Sequence, residues 1–385
     1  MPSASCVLLL GALLALGGCE RDGAGPRAVE SAAPRGGAAL ATPSASSTSS
    51  ARAASAPPGA PGERLKVELQ EVAMGTDVHL VAYSNAKVGA EGTEAALAAA
   101  FAEMQRLARL MSDWTADSDV ARVNHGAGSF VTVDPETFSV IEKSLWVGKL
   151  SGGVFDITFQ AMSGVWKFGD AQEAHPRLPD RREILEKQRL IDYRKLEVRP
   201  ETHQVMVPKG MSIGLGGIAK GYIVDRAARV LRDRGLADFL VQAGGDLYGA
   251  GRKPDGSPWV SGIQDPRGPR GTFFATIELT DHAFSTAGDY ARAYVLGGKR
   301  YHHVIDPRTG YPATASRSVT LWAPDAFVAD AIDDAVFILG PEKGLALVDS
   351  LGDCGAVIVD AKNKVWVSER IKERVHLLRE PTDGI

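Results

Sequence analysis

The chain has 385 residues, 44% of them hydrophobic and 23% charged, with a formal charge of −4 and an isoelectric point near 6.1. This balance supplies a large core and excludes both the basic field that nucleic acid requires and a cationic face for anionic lipid. Partners must therefore be recognised locally, at a site.

The N-terminal region reads as export and tethering rather than as fold. Val7 to Leu16 is an apolar run of about ten residues, too short to cross a bilayer as a helix and suited to a signal-peptide core. It ends in Leu16-Gly17-Gly18-Cys19, which resembles a bacterial lipobox, where a small residue precedes a cysteine that is lipidated and becomes the mature N-terminus. An ordinary signal peptide with a chance cysteine is the alternative. Met1 to Cys6 lacks the usual positive residues, which a misassigned start codon would explain. From Glu20 to about Gly62 the chain is Ala, Ser, Pro, Gly and Thr, too poor in large apolar side chains to offset its ordering entropy. The expected division is a signal peptide over 1–18, a flexible tether over 19–63 and a folded catalytic domain over 64–380. Of Cys6, Cys19 and Cys354 only the last falls in the folded part, so no internal disulfide is expected.

Leu65, Val67 and Leu69 alternate with polar residues, as do Val78, Leu80 and Ala82 after Met74-Gly75-Thr76, and this predicts a strand pair joined by a glycine turn. Leu97, Phe101, Met104, Ala108 and Met111 recur at helical spacing within 91–111, and Asp134-Pro135-Glu136 opens a second helix to about Leu150. Short strands are predicted at 196–198 and 204–207, a helix over 218–234, and a strand over 239–242 leading to Gly244-Gly245-Asp246. Strands around 272–279, 301–305 and 318–322 follow, then helices over 326–339 and 342–351. Strands and helices mixed without strict alternation argue for an α+β fold, mixed sheets with packed helices, rather than a doubly wound sheet.

Three segments carry the chemistry. Ala326 to Ile338 is an apolar helix interrupted by Asp330, Asp333 and Asp334. Asp330 and Asp334, four apart, share a helix face where like charges repel, and a hard divalent cation with oxygen ligands is a natural partner for them. Such acids also occur on solvent faces or as caps of neighbouring loops, and both readings stay open. Gly214-Leu-Gly216-Gly217-Ile-Ala-Lys220-Gly221 runs into a helix whose N-terminus could meet a phosphate. It lacks the Gly-Lys-Ser/Thr of a Walker loop, and its loose match to the dinucleotide fingerprint is equally well explained by close helix-on-sheet packing. His302-His303-Val-Ile305-Asp306-Pro-Arg308-Thr-Gly310 sets two histidines on a strand before a turn. Adjacent strand residues face opposite sides, so one histidine at most addresses a given site.

Taken in order, these segments resemble the ApbE family of FAD:protein FMN transferases. The resemblance runs from Met74-Gly75-Thr76 through Met111-Ser-Asp-Trp114, Gly153-Val154-Phe155-Asp156-Ile-Thr158, Gly214 to Asp225, Ala243-Gly-Gly-Asp246, Ser285 to Tyr290, His303 to Gly310 and Ala329-Asp330. It implies an ApbE-like, T-fold-like flavin transferase fold, with FAD near Met74, Trp114, Val154, Phe155, Asp156, Gly214, Lys220 and Ile305. It also implies a magnesium site at Asp330 and Asp334 with a backbone carbonyl near Gly217, and His303 as the group assisting deprotonation. The sequence departs from the family where Asp334 stands for the commoner threonine, so manganese or calcium enter as alternative metals. It departs again at Ala287, where a serine is common.

The implied reaction moves FMN from FAD to a Thr or Ser hydroxyl of an acceptor protein through a phosphoester bond and releases AMP. The implied partners are FAD and an exported redox protein that carries covalent flavin, with the enzyme held at the membrane on the periplasmic side by its lipid anchor. Two alternatives share parts of this site. An FAD pyrophosphatase would use water and need no acceptor; a non-catalytic flavin-binding lipoprotein would hold the cofactor and ignore chelators. A Rossmann dehydrogenase ranks last, because an exported lipoprotein does not ordinarily meet nicotinamide.

Overall fold

The computed structural model describes residues 64–168 and 175–385, so the expected signal segment, Cys19 and the expected tether lie outside the described residues. One eight-stranded sheet organises the domain: β1 (Lys66–Ala73), β2 (Thr76–Tyr83), β3 (Phe239–Ala243), β4 (Asp246–Ala250), β5 (His282–Gly288), β6 (Ser316–Ala323), β7 (Gly355–Asp360) and β8 (Val365–Val367). Spatial order equals chain order, and every neighbouring pair is antiparallel. A dinucleotide fold needs parallel strands with crossover helices. The sheet therefore removes the dehydrogenase reading.

Six helices accompany it among the described residues: α1 (Ala90–Leu110), α2 (Asp119–His125), α3 (Pro135–Leu150), α4 (Arg181–Gln188), α5 (Ala219–Asp233) and α6 (Ala326–Asp349). α1 to α5 belong to the excursion between β2 and β3, and α6 connects β6 to β7. Period-two patterning sorts the two faces of the sheet. Val319, Leu321 and Ala323 of β6 join the core under α1, α5 and α6, whereas Trp322 joins a second core. That second core is closed by a three-stranded sheet of Trp259–Gln264, Phe273–Leu279 and Val375–Leu377. Both faces of the central strands of the large sheet are thus dry, each buried large side chain contributing about 1.5–3 kcal/mol.

The predicted hairpin is present, with Ala73 paired to Thr76 across Met74-Gly75. Both turn residues have positive φ, 54° and 70°, which the two-residue hairpin turn requires and which a methionine rarely adopts. α3 starts as its sequence indicates, with Pro135 at the first turn and the Asp134 side chain accepting from the Glu136 amide. The predicted helices over 326–339 and 342–351 run as one element kinked at Gly340, whose φ of 76° suits glycine and which precedes Pro341. The predicted strand 301–305 is broken. Lys299–His302 pairs with Ala293–Leu296, His303 and Val304 bend away, and Ile305–Asp306 pairs with Tyr311–Pro312.

Candidate active site

The site is built where α5 crosses the start of α6. A β-carbon added at Gly221 would lie 2.1 Å from the Ala326 carbonyl oxygen and 2.7 Å from the Asp330 β-carbon, so only glycine lets the two helices meet there. α6 is fixed at that end by carboxylates. Asp225 accepts from the Ala326 and Phe327 amides at 2.9 Å each, and Asp325 accepts from the Val328 amide at 2.7 Å. One turn further on, Asp330 accepts from the Gly221 amide at 2.8 Å and from Lys220 Nζ at 3.2 Å. Asp330 therefore occupies a donor of the α5 N-terminus, where an anion is stabilised. The sequence offered that helix end to a phosphate; part of it is already spent.

α6 is apolar on every side and correspondingly buried, which removes the solvent-face reading of its acids. Asp330 and Asp333 are both buried, and with Asp246 at the start of β4 they each offer a carboxylate oxygen within 4.8 Å of the others. Ser285 Oγ on β5 lies 2.6 Å from Asp333 and is also hydrogen-bonded to Asp246, while Lys220 pairs with Asp246 as well. One hydroxyl proton cannot serve two carboxylates. Burial, followed by the charge of Asp246, pushes Asp330 up to about 7; burial and its neighbouring aspartates push Asp333 well above the usual range, and burial brings Asp334 to about 6. Burial works against the Lys220 ammonium, but Asp246 and Asp330 outweigh it and hold that group well above its ordinary value, although 34% of the side chain stays accessible. Four carboxylates against one ammonium leave a surplus of negative charge, which protonation or a hard cation relieves.

Two adjoining chambers open at this cluster. The smaller, about 390 Å³, is walled by Val154, Phe155, Asp156, Gly214, Gly217 and Lys220 together with Asp330, Asp333 and Asp334. The larger, about 960 Å³, is walled by Trp114, Trp166 and Phe168 among others; Phe159, Gln160, Arg292, His303 and Ile305 line both. The structure thus brings together every candidate named from the sequence within the described residues except Met74, which sits on the β1–β2 turn and lines neither chamber. Trp114 is 93% exposed, free to stack on a planar ring at the rim. The Asp156 carboxylate is largely committed to the fold, since it accepts from the Thr158 amide and hydroxyl and from the Tyr193 amide. Asp334 approaches the Gly217 backbone, 3.3 Å from where a β-carbon would stand.

His303 faces the chambers and His302 does not. Nε2 of His302 meets the Ala313 carbonyl at 2.8 Å, and its ring packs edge-on against Phe337. The separation comes from the bend after His302, not from the alternation of an unbroken strand. Burial, helped by His302 and Arg292, lowers the His303 imidazole to about 4, so it is neutral at pH 7, and its Nδ1 has no hydrogen-bond partner among the described residues. Sequence reasoning did not single out Asp246, Asp333 or Ser285 as a unit. The available signal was the three-residue spacing of Asp330 and Asp333, which shares a helix face as fully as a spacing of four. It also passed over Asp113, a chamber-lining carboxylate pushed up to about 6 by burial.

Residues 74–358 match the ApbE family model. The chain is 32% identical over 325 residues to a FAD:protein FMN transferase of Treponema pallidum, covering 80% of this chain and 88% of that one. To the enzyme of the same name from Escherichia coli K12 it is 32% identical over 271 residues, 69% of this chain and 77% of that one. Among solved structures, an ApbE protein of Thermotoga maritima superposes with a TM-score of 0.73 at 34% identity, covering 80% of this chain and 99% of that one. The apo flavinyl transferase ApbE of Pseudomonas stutzeri gives 0.70 at 28%, covering 81% and 97%. Chain-long similarity, an α+β architecture shared with the solved members and a cavity built from the same ordered motifs converge: this chain belongs to the ApbE family.

Proposed function

We propose that this protein is a metal-dependent transferase that moves FMN from FAD onto a threonine or serine hydroxyl of an exported acceptor protein. The observation that carries the reading is the joint placement of a neutral, unpartnered His303 and a buried carboxylate cluster on one chamber. The names of the relatives support flavin transfer, and the chamber chemistry supports the finer steps.

The residues present fit a hard divalent cation: the donors are all carboxylate oxygens, they converge within 4.8 Å, and their charge exceeds that of Lys220. Asp246, Asp330 and Asp333 would hold it, with Asp334 and the Gly217 carbonyl beside them; magnesium is the first candidate and manganese or calcium the alternatives. When bound, such an ion supplies neutralisation of phosphoryl charge. The protein's own part is then the following. Lys220, held charged, offsets the surplus carboxylates, and Trp114 offers a ring face at the rim. His303 takes the proton of the acceptor hydroxyl, a contribution of about 10²–10⁴ in rate. The hydroxyl oxygen bonds to the FMN phosphorus, the anhydride oxygen departs with its electron pair on AMP, and the product is a phosphoester.

The reading includes export and anchoring through Cys19, for which the lipobox-like run and the low-complexity tether are the support. It is tested by incubating the protein with FAD, magnesium and an acceptor of the Escherichia coli relative. Covalent flavin on the acceptor supports transfer. Free FMN and AMP without an adduct would instead identify a pyrophosphatase.

A further inference from the structure

Five residues wall both chambers: Phe159, Gln160, Arg292, His303 and Ile305. Arg292 is the one cation in that shared wall. Its main-chain carbonyl accepts from the His303 amide at 3.2 Å, which fixes the two residues side by side at the end of the Ala293–His302 ladder. Among the described residues its guanidinium makes no hydrogen bond or ion pair. Neighbouring arginines are spent: Arg267 forms a two-pronged pair with Asp289 at 2.6 and 2.7 Å, Arg308 pairs with Asp306, and Arg317 pairs with Asp383.

Size places the substrate across this wall. A chamber of 390 Å³ sits at the low end of the roughly 300–1,000 Å³ that hold one drug-sized ligand, and FAD joins two such halves, FMN and AMP. A molecule that long must use both chambers, and its middle, the pyrophosphate, then passes the shared wall. An unpaired guanidinium is the group best shaped to meet phosphoryl oxygens there, because its planar fork donates to two of them at once.

We infer that Arg292 is a catalytic residue of the transfer proposed above: its guanidinium binds the FAD pyrophosphate where the chambers meet and stabilises the charge that develops as the anhydride bond breaks. The inference rests on that functional reading. In the step, the acceptor oxygen bonds to the FMN phosphorus, the bond from that phosphorus to the bridging oxygen breaks, and the electron pair leaves on AMP. The hydroxyl proton goes to His303. Arg292 stays charged throughout and takes no proton.

The test compares wild type, Arg292→Ala and Arg292→Lys in FAD titrations and in flavin transfer to an acceptor of the Escherichia coli relative, which runs alongside as a positive control. Arg292 is exposed and has no partner among the described residues, so both variants should fold. The expected result for Arg292→Ala is a fall in kcat of about 10²–10³, as for loss of one transition-state donor, with FAD affinity within a few-fold. Millimolar guanidinium should restore part of the rate to Arg292→Ala, and Arg292→Lys should recover part of it as a single-point donor. Unchanged kcat in Arg292→Ala, or a loss confined to FAD affinity, would overturn the inference while leaving the transferase reading intact. If wild type itself forms no adduct while the control does, that reading fails and takes the inference with it.

Discussion

Gly221→Ala is the change that asks most of the site. The added methyl would stand 2.1 Å from the Ala326 carbonyl oxygen and 2.7 Å from the Asp330 β-carbon, against 3.4 Å for ordinary contact, and the first of these neighbours is backbone. No side chain can rotate out of the way, so α5 and α6 must separate. Separation lengthens the bond from the Gly221 amide to Asp330, a charged hydrogen bond worth about 1.5–3 kcal/mol, and overpacking adds about 1–3 kcal/mol. The better helix propensity of alanine returns only about 1 kcal/mol. A net loss on the order of 3 kcal/mol follows, or roughly 4–5 °C in melting temperature for a domain of this size. Thermal melts of the metal-free protein measure it, and calorimetric magnesium titration reports the displaced Asp330. Gly216→Ala, whose methyl meets nothing within 4 Å, is the stability control. A Gly221→Ala protein that melts with wild type and binds magnesium equally would refute the close crossing of these helices.

Asp330→Asn should lose transfer at ordinary magnesium and regain some at high metal, whereas Asp334→Thr should stay active with altered metal preference; activity against metal concentration checks both, and full activity of Asp330→Asn at low magnesium would return these acids to a structural role. His303→Ala should abolish transfer with FAD affinity within a few-fold, while His302→Ala, which loses only the bond to the Ala313 carbonyl and its packing, should cost stability before chemistry. Because burial lowers His303 from 6.5 to about 4, the neutral base persists below its ordinary range. At saturating magnesium the rate should hold as pH falls through 6.5 and decline toward 4, and a pH–rate profile that breaks at 6.5 would contradict this. The same shift makes the unfolded chain bind the proton first, so His303 stabilises the fold above pH 6.5 and that contribution is lost as pH falls toward 4. Cys19→Ser should release the protein from membranes in cell fractionation, and unchanged retention would count against lipidation.

Period and capping carried much of the fold into the sequence. The β1–β2 hairpin, α1, α3 and α5 follow from alternation, helical spacing and the Asp134-Pro135 start, each a local signal. β4, β5 and β7 were harder to read, because strands dry on both faces lose the alternation that marks a half-exposed strand. The site was legible as motifs but not as an assembly. Asp330 and Lys220 could be named, yet the meeting of Asp246 from β4, Ser285 from β5 and Asp333 from α6 depends on sheet order. Sheet order is a long-range property that no local pattern encodes. His303 lines the chambers because of the bend at 303–304, not because of the strand alternation that singled it out in the sequence.

The most direct test of the central claim is in-gel flavin fluorescence of an acceptor protein of the Escherichia coli relative after incubation with this protein and FAD, with and without magnesium, while AMP is quantified in the same samples. Metal-dependent covalent fluorescence, with one AMP released per adduct and both lost on chelation, is the predicted result. Adduct formation that survives exhaustive chelation would remove the metal from the chemistry, and release of FMN and AMP with no adduct, where the relative forms one, would contradict transfer itself.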